Sequence, residues 1–139
     1  MKNWKKQTGV WIDTSKAIIV TLFDGIEDIT EVQSGIENRI YHDDEVRKGT
    51  FSRNRHAGNE TKFDEQKKNQ LDHFLIDVLS QVKESDELYI FGPAETKSKL
   101  EQKIYNEKWI DFHKLKSVET ASGMSPNQIL ANVKDFYKN

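Results

Sequence analysis

Short apolar runs that alternate with polar residues dominate the beginning of the chain. Two of them, at 9–14 and 17–23, are separated by two residues, which favours a β-hairpin. Asp24 and Gly25 then form a strong turn signal, and a looser alternation through 26–36 is typical of a third antiparallel strand. The chain is therefore predicted to open with a three-stranded meander.

Helical spacing replaces this alternation in the middle of the chain. Thr61 and Asp64 can form a capping pair, and apolar residues recur behind them at helical spacing to about Lys83. The predicted elements that follow are a strand at 87–91, a helix at 94–109 with Leu100, Ile104 and Tyr105 inward, a strand at 115–120 and a helix burying Ile129, Leu130, Val133 and Phe136. The sequence Ser-Pro-Asn-Gln at 125–128 supplies this last helix with an N-cap, a first-turn proline and a capping-box glutamine.

The predicted order is β-β-β-α-β-α-β-α, which places the chain in the α/β class. A meander followed by right-handed crossovers gives a mixed five-stranded sheet with helices on both faces. This order predicts a ribonuclease-H-like arrangement. With 139 residues the chain has the usual size of one domain, so we expect a single domain spanning 1–139.

Composition narrows the class of protein. The chain has no cysteine, which excludes a disulfide framework and a thiolate zinc site. The lack of cysteine also favours an intracellular location. No apolar run approaches the roughly 18 residues that cross a bilayer, and no signal-peptide core follows the start, so we expect a cytoplasmic protein without membrane contact. The histidines, at 42, 56, 73 and 113, lack metal-ligand spacing, and we expect neither a metal nor another cofactor.

A basic segment lies between the third strand and the long helix. Residues 42–60 show no core-facing pattern, and within them 46–56 carries four positive charges and no carboxylate, although the whole chain has a net charge of -2. Loops this long usually have a function, and arginine and lysine neutralise phosphates. The candidate RNA-binding residues are Arg47, Lys48, Arg53 and Arg55 for phosphates, Phe51 and His56 for stacking on bases, and Lys62, Lys67 and Lys68 along the helix. The alternative is a solvated loop with an accidental bias in charge.

Two further positions are candidates for chemistry. The corner after the fourth strand offers Gly92, Lys97 and Lys99 for a phosphate contact, but it lacks the spacing of a P-loop and is chiefly a tight turn. Asp13 would be the metal ligand of a ribonuclease-H-like nuclease or RNA hydrolase. The favoured alternative for Asp13 is a turn aspartate that caps the first hairpin.

Such a nuclease needs further carboxylates, for which Glu84, Asp86 and Glu119 are candidates without a diagnostic spacing. A third functional class is a protein-interaction domain that presents Trp4 or Trp109 to another protein.

Four stretches of the chain resemble one family. They are GVWIDTSKAIIVTL, RKGTFSRNRHAGNETKFDEQKKNQLDHFL, LYIFGPAETKSKLEQKI and VETASGMSPNQIL. Together they resemble the middle domain of the eukaryotic and archaeal peptide-chain release factors and of Pelota, and the small bacterial release-factor-like proteins, also called translational machinery proteins. The resemblance covers nearly the whole chain.

In release factors the loop before the long helix carries Gly-Gly-Gln, which promotes hydrolysis of peptidyl-tRNA on the ribosome. Here the corresponding stretch has Gly49 and, further on, Ala57-Gly58-Asn59, and Pelota also lacks the triplet. The resemblance therefore implies a non-catalytic protein of the translation machinery. Its implied partners are the ribosome and ribosomal RNA or tRNA, in ribosome rescue, hibernation or stress.

Overall fold

Strands and helices follow one another in the predicted order. A computed structural model of the protein describes residues 5–35 and 56–138, with the side chains of the first helix described from Glu65 onward. Within these ranges the strands are β1 (Gln7–Ile12), β2 (Lys16–Phe23), β3 (Ile26–Gln33), β4 (Glu87–Gly92) and β5 (Leu115–Thr120). The helices there are α1 (His56–Val82), α2 (Thr96–Glu107) and α3 (Pro126–Lys138), with a short 3₁₀ turn at Phe112–Lys114.

The described strands form one mixed sheet in the order β3-β2-β1-β4-β5. β1 pairs antiparallel with β2, and β2 pairs antiparallel with β3, whereas β4 lies parallel to both β1 and β5. Asp24 and Gly25 have positive φ angles of 51° and 80° and close the β2–β3 hairpin in two residues. Positive φ at both central positions is what a tight hairpin turn requires, so the Asp-Gly signal and the opening meander are confirmed.

Helices cover both faces of the sheet. On one face, Phe74 and Leu79 of α1 and Leu100 of α2 pack with Val10 and Ile90 of the central strands. On the other face, α3 packs alone among the described helices. Its Ile129 and Val133 join Trp11, Ile18, Val20, Tyr89 and Phe91 in a second buried cluster. The α3 side of the sheet is therefore less covered, and a polar groove lies there beside β4 and β5.

The long helix differs from its predicted bounds. α1 begins at His56, so 56–60, assigned by the sequence to the loop, are helical, and Thr61 and Asp64 lie inside the helix and do not cap it. No proline interrupts 56–64, and glycine and asparagine are weak helix formers that are tolerated when the helix continues beyond them. The remainder of the predicted basic loop, 42–55, lies outside the described residues.

One predicted inward residue on α2 is exposed. Leu100 and Ile104 are buried as expected, but Tyr105 is 64% exposed. Residues four apart on a helix share a face, whereas the residue after Ile104 is rotated by about 100°, so Tyr105 points away from the sheet. On α3, Ile129 and Val133 are buried while Leu130 and Phe136 are only partly buried.

The described helices differ from membrane-spanning helices in length or in hydropathy. None of them is both long enough and apolar enough to cross a membrane.

Candidate functional site

The predicted RNA-binding residues fall into two groups with respect to the structure. Arg47, Lys48, Phe51, Arg53 and Arg55 lie outside the described residues, and His56 and Lys62 belong to α1 but their side chains are likewise outside the description. Lys67 and Lys68 are described, and both are exposed on α1. Their ammonium groups, in the first half of α1, are therefore accessible to a phosphate.

The corner between β4 and α2 has a structural explanation. A Cβ atom added at Gly92 would lie 2.2 Å from the backbone oxygen of Ile12, so glycine allows β4 to pack closely against the end of β1. Lys97 donates from its Nζ to the carbonyl oxygen of Ala94, one turn back, whereas Lys99 is exposed. Of the two candidate lysines, Lys99 therefore leaves its charge more accessible to an anion.

Asp13 closes the β1–β2 hairpin. Its Oδ1 accepts hydrogen bonds from the backbone N–H of Ser15 at 2.8 Å and of Lys16 at 2.9 Å, and its own N–H donates to the oxygen of Lys16 at 3.0 Å. This is the turn role that the sequence favoured for it. Within 5–35 and the described side chains from Glu65 onward, no group of three or more histidine, aspartate or glutamate side chains is arranged to hold a metal ion.

Two of the three carboxylates proposed to assist Asp13 have other partners. Glu119 accepts a hydrogen bond from the hydroxyl of Tyr89 at 3.0 Å and another from Ser117 at 2.9 Å. Asp86 accepts from the backbone N–H of Lys6 at 2.8 Å. These contacts do not bring the two carboxylates together with Asp13, and the nuclease arrangement has no support among them.

A polar groove of about 700 Å³ lies beside α3 on the less covered face of the sheet. Its walls come from the beginning of β1, from β4 and β5, and from α3. The lining residues are Lys5, Gln7, Glu87, Tyr89, Lys116, Glu119, Asn132, Asp135, Phe136 and Tyr137. This groove was not predicted from the sequence. Two sequence patterns could have indicated it. Strand alternation puts Tyr89 and Phe91 on one face, and helical spacing groups Asn132, Asp135 and Phe136.

Tyr89 is the central side chain of the groove. Its hydroxyl donates to Glu119 Oε1 and accepts from Asn132 Nδ2 at 3.2 Å, so β4, β5 and α3 meet at one oxygen. Burial, followed by the hydrogen bond to the Glu119 carboxylate, raises the pKa of Tyr89 to about 12. The phenol therefore stays protonated near neutral pH and serves as a hydrogen-bonding group rather than a base or nucleophile.

At the β1 end of the groove, the charged residues Lys5 and Glu87 are paired with each other. Glu87 lies 3.5 Å from Lys5 and accepts a hydrogen bond from the side-chain amide of Gln7 at 2.8 Å. The hydroxyl of Tyr137 donates to the carbonyl oxygen of Thr8 at 2.7 Å, and burial raises the pKa of Tyr137 as well. This end of the groove thus links α3 to β1 and β4 and presents paired charges to solvent.

Comparison with known proteins links the fold to translation factors. No family model matches the chain, and no curated protein does. Among solved structures, the Thermoplasma acidophilum Pelota protein matches 98% of this chain with a TM-score of 0.51 and 13% identity. An archaeal translation termination factor, aRF1, matches 99% of this chain with a TM-score of 0.51 and 10% identity.

The match occupies only part of each neighbour. The chain spans 33% of the Pelota protein and 41% of the termination factor. At this level of identity the likeness concerns the fold. It confirms the resemblance found in the sequence: the chain folds as a Pelota- and release-factor-like domain.

Proposed function

We propose that the protein is a non-catalytic RNA-binding protein of the translation machinery that contacts ribosomal RNA or tRNA on the ribosome. Rescue of stalled ribosomes, hibernation and stress are the settings that suit such a protein, and a cytoplasmic location follows from them. The observation that carries the proposal is the fold shared over 98% and 99% of the chain with Pelota and with an archaeal translation termination factor. The strand order β3-β2-β1-β4-β5 with helices on both faces also supports a ribonuclease-H-like core in a single domain.

The contact with RNA is assigned to the basic segment before α1. Arg47, Lys48, Arg53 and Arg55 would neutralise phosphates, while Phe51 and His56 would stack on unpaired bases. Lys62, Lys67 and Lys68 would continue this surface along α1, and the exposure of the last two supports that assignment. Gly92, Lys97 and Lys99 form a secondary candidate contact, in which Lys99 is the more accessible cation.

The absence of catalysis in this proposal rests on chemistry as well as on resemblance. The sequence has no Gly-Gly-Gln triplet before α1, which is the group that release factors bring to peptidyl-tRNA. In the groove beside α3, Tyr89 is held in its protonated form by its raised pKa.

Sedimentation of the purified protein with ribosomes tests the proposal. The wild-type protein should enter the ribosome pellet at low salt and leave it at high salt, because phosphate contacts release counterions on binding. Changing Arg47, Lys48, Arg53 and Arg55 together to alanine should remove the protein from the pellet at both salt concentrations. Absence of the wild-type protein from the pellet at both concentrations would overturn the proposal.

A matched variant controls for the loss of charge. The control changes four lysines elsewhere on the chain to alanine and so removes an equal number of positive charges. These lysines are Lys5, Lys16, Lys134 and Lys138. This control should bind ribosomes nearly as well as the wild type and keep a similar dependence on salt. Equal loss of binding in the two variants would show that net charge, and not the basic segment, determines the association.

A further inference from the structure

Three large aromatic side chains are exposed within eight residues, at the end of α2 and just after it. Tyr105 is 64% exposed, Trp109 45% and Phe112 42%, and we refer to these three residues as the aromatic patch. The rings of Tyr105 and Phe112 meet edge to face with their centroids 5.4 Å apart. Aromatic side chains usually bury much of their surface, and several exposed together mark an interaction site more often than single ones do.

A concavity of about 290 Å³ opens beside two of these rings. It is lined by Tyr105 and Phe112 and by Ser98, Glu101 and Gln102 of α2. Glu101 and Gln102 follow Ser98 by three and four positions, and Tyr105 follows them by four and three, so these side chains lie towards one helix face. A hydroxyl, a carboxylate and an amide therefore stand next to aromatic surface, and a planar group that lies against a ring can meet hydrogen-bonding groups at its edge.

Lysines outnumber carboxylates in the segment that carries the patch, since residues 96–116 have six lysines and three carboxylates. The Nζ of Lys83 lies 6.0 Å from the centroid of the Trp109 ring, and Lys108 and Lys114 flank Trp109 and Phe112 in sequence. Of the three carboxylates in this segment, Glu101 lines the concavity and the other two have cationic or donor partners. Glu107 lies 3.6 Å from Lys103, and Asp111 accepts a hydrogen bond at 3.0 Å from the backbone N–H of His113.

The combination of lysines with exposed rings distinguishes two kinds of partner. The buried centres of protein–protein interfaces are depleted in lysine. Surfaces that bind single-stranded nucleic acid combine cations, which follow the phosphates, with aromatic rings, on which the bases stack. The aromatic patch has the second composition.

We propose that the aromatic patch and its concavity bind unpaired bases of single-stranded RNA. One base stacks on Tyr105 or Phe112 within the concavity, and the phosphates on either side pass Lys83, Lys108 and Lys114. This inference rests on the RNA-binding part of the proposed function but assigns it to residues other than the basic segment.

Glu101 gives this site a preference among bases. An ionised carboxylate only accepts hydrogen bonds, so it pairs with the exocyclic amino group of cytosine, whereas uracil presents a carbonyl at the same position and is disfavoured. The site therefore binds cytosine-rich single strands more tightly than uracil-rich ones. Glu101→Gln, whose amide both donates and accepts, should reduce this difference.

Fluorescence anisotropy with labelled oligo(C) and oligo(U) of equal length tests the inference. Combined Tyr105→Ala and Phe112→Ala should weaken oligo(C) binding roughly tenfold, in keeping with the contribution of base–aromatic stacking. Ile26→Ala is the matched control, because Ile26 is an exposed apolar residue, 67% accessible, on β3. It should bind oligo(C) as the wild type does, and circular dichroism should show the fold of each variant unchanged.

The measurement is repeated with Arg47, Lys48, Arg53 and Arg55 changed to alanine, which separates the patch from the basic segment. The loss caused by the patch variant should persist in that background. Equal oligo(C) affinity in the patch variant and in Ile26→Ala would overturn the inference. The aromatic patch would then be assigned to binding another protein. Equal wild-type affinity for oligo(C) and oligo(U) would overturn the role of Glu101.

The outcome is separable from that of the ribosome experiment. Patch-dependent binding of free oligonucleotides, with no wild-type protein in the ribosome pellet, would uphold this inference and overturn the proposed function. Ribosome binding that the patch variant retains in full, with unchanged oligo(C) affinity, would do the reverse.

Discussion

The ring of Tyr89 lies parallel to that of Phe136, with centroids 3.9 Å apart and 3° between the planes. Tyr89 also stacks on Phe91, its neighbour on the same face of β4, at 4.7 Å. Ring stacking fixes this side chain between the sheet and α3, and so does its hydroxyl, which donates to Glu119 and accepts from Asn132. On the less covered face of the sheet, Tyr89 thus joins β4 to α3 through its ring and through its hydroxyl.

Alkaline pH should lower the stability of the folded protein, because Tyr89 loses its proton. The pKa of Tyr89 in the folded protein, about 12, lies above the unfolded value of about 10, so its contribution to stability is complete below about pH 10 and is lost as the pH rises towards 12. The raised pKa of Tyr137 adds a loss of the same sign. We expect Tm to fall in this range, and to fall less in Tyr89→Phe. Thermal unfolding followed by circular dichroism at a series of pH values measures both, and parallel curves for the two proteins would contradict the assignment.

Asp13 should contribute to stability rather than to catalysis. Asp13→Ala removes the acceptor of two backbone N–H groups and should lower the free energy of unfolding by about 1–2 kcal/mol. Asp13→Asn keeps a carbonyl oxygen that can accept the same bonds, so it should cost clearly less. Urea unfolding of the three proteins gives the comparison, and equal losses in the two variants would refute the turn role.

Incubation with labelled RNA and magnesium or manganese completes the test of Asp13. We expect neither the wild type nor Asp13→Asn to cleave RNA. Cleavage by the wild type that disappears in Asp13→Asn would identify a metal-dependent nuclease.

Local sequence patterns account for the parts of the fold that were predicted correctly. The β2–β3 turn depends on two adjacent residues, Asp24 and Gly25, and the start of α3 depends on four consecutive ones. The predicted bounds of β5, 115–120, are those observed. Where a boundary depends on chemistry within a few residues, the sequence is sufficient to place it.

Other features depend on contacts between distant residues. The start of α1 has no local capping signal, and the sequence alone favoured Thr61 over His56. The groove beside α3 needs Tyr89 to lie opposite Ser117 across two parallel strands and Asn132 to reach over them from α3. Neither relationship is encoded in a short segment, and the groove was therefore not anticipated.

Close packing of α3 on β1 makes Gly9 sensitive to substitution. A Cβ atom at this position would lie 2.3 Å from Cγ2 of Val133. Gly9→Ala should therefore lower the free energy of unfolding by about 1–3 kcal/mol, as overpacking does. Val133→Ala removes the clashing methyl groups, so the double variant should be less destabilised than the sum of the two single losses. Additive losses, measured by urea unfolding, would show that the two residues do not compete for this space.

Gly92→Ala provides the contrast. Its added Cβ would meet the backbone oxygen of Ile12, which cannot move away without displacing β1. The loss should be at least as large as for Gly9→Ala, and Val133→Ala should not relieve it.

The start of α3 depends on reciprocal bonds between Ser125 and Gln128. The N–H of Ser125 donates to Gln128 Oε1 at 2.9 Å, and the N–H of Gln128 donates to Ser125 Oγ at 3.2 Å, so the predicted capping box is confirmed. Ser125→Ala should cost about 1 kcal/mol, because it leaves a first-turn N–H without its acceptor. Asn127 lies between the two capping residues in sequence and is also exposed. Asn127→Ala should therefore change stability by less than about 0.5 kcal/mol.

The two capping residues should contribute separately. Each bond joins the side chain of one residue to the backbone N–H of the other, so Ser125→Ala and Gln128→Ala remove different bonds, and together they should cost about the sum of their separate losses. Urea unfolding of the four proteins in the cycle measures this, and a clearly non-additive loss would contradict it. Since α3 carries Asn132 and Phe136 to Tyr89, a frayed first turn should leave those distant contacts intact, and the phenol should keep its raised pKa in Ser125→Ala. A pKa for Tyr89 that returned to about 10 in that variant would instead show that the cap holds the whole helix on the sheet.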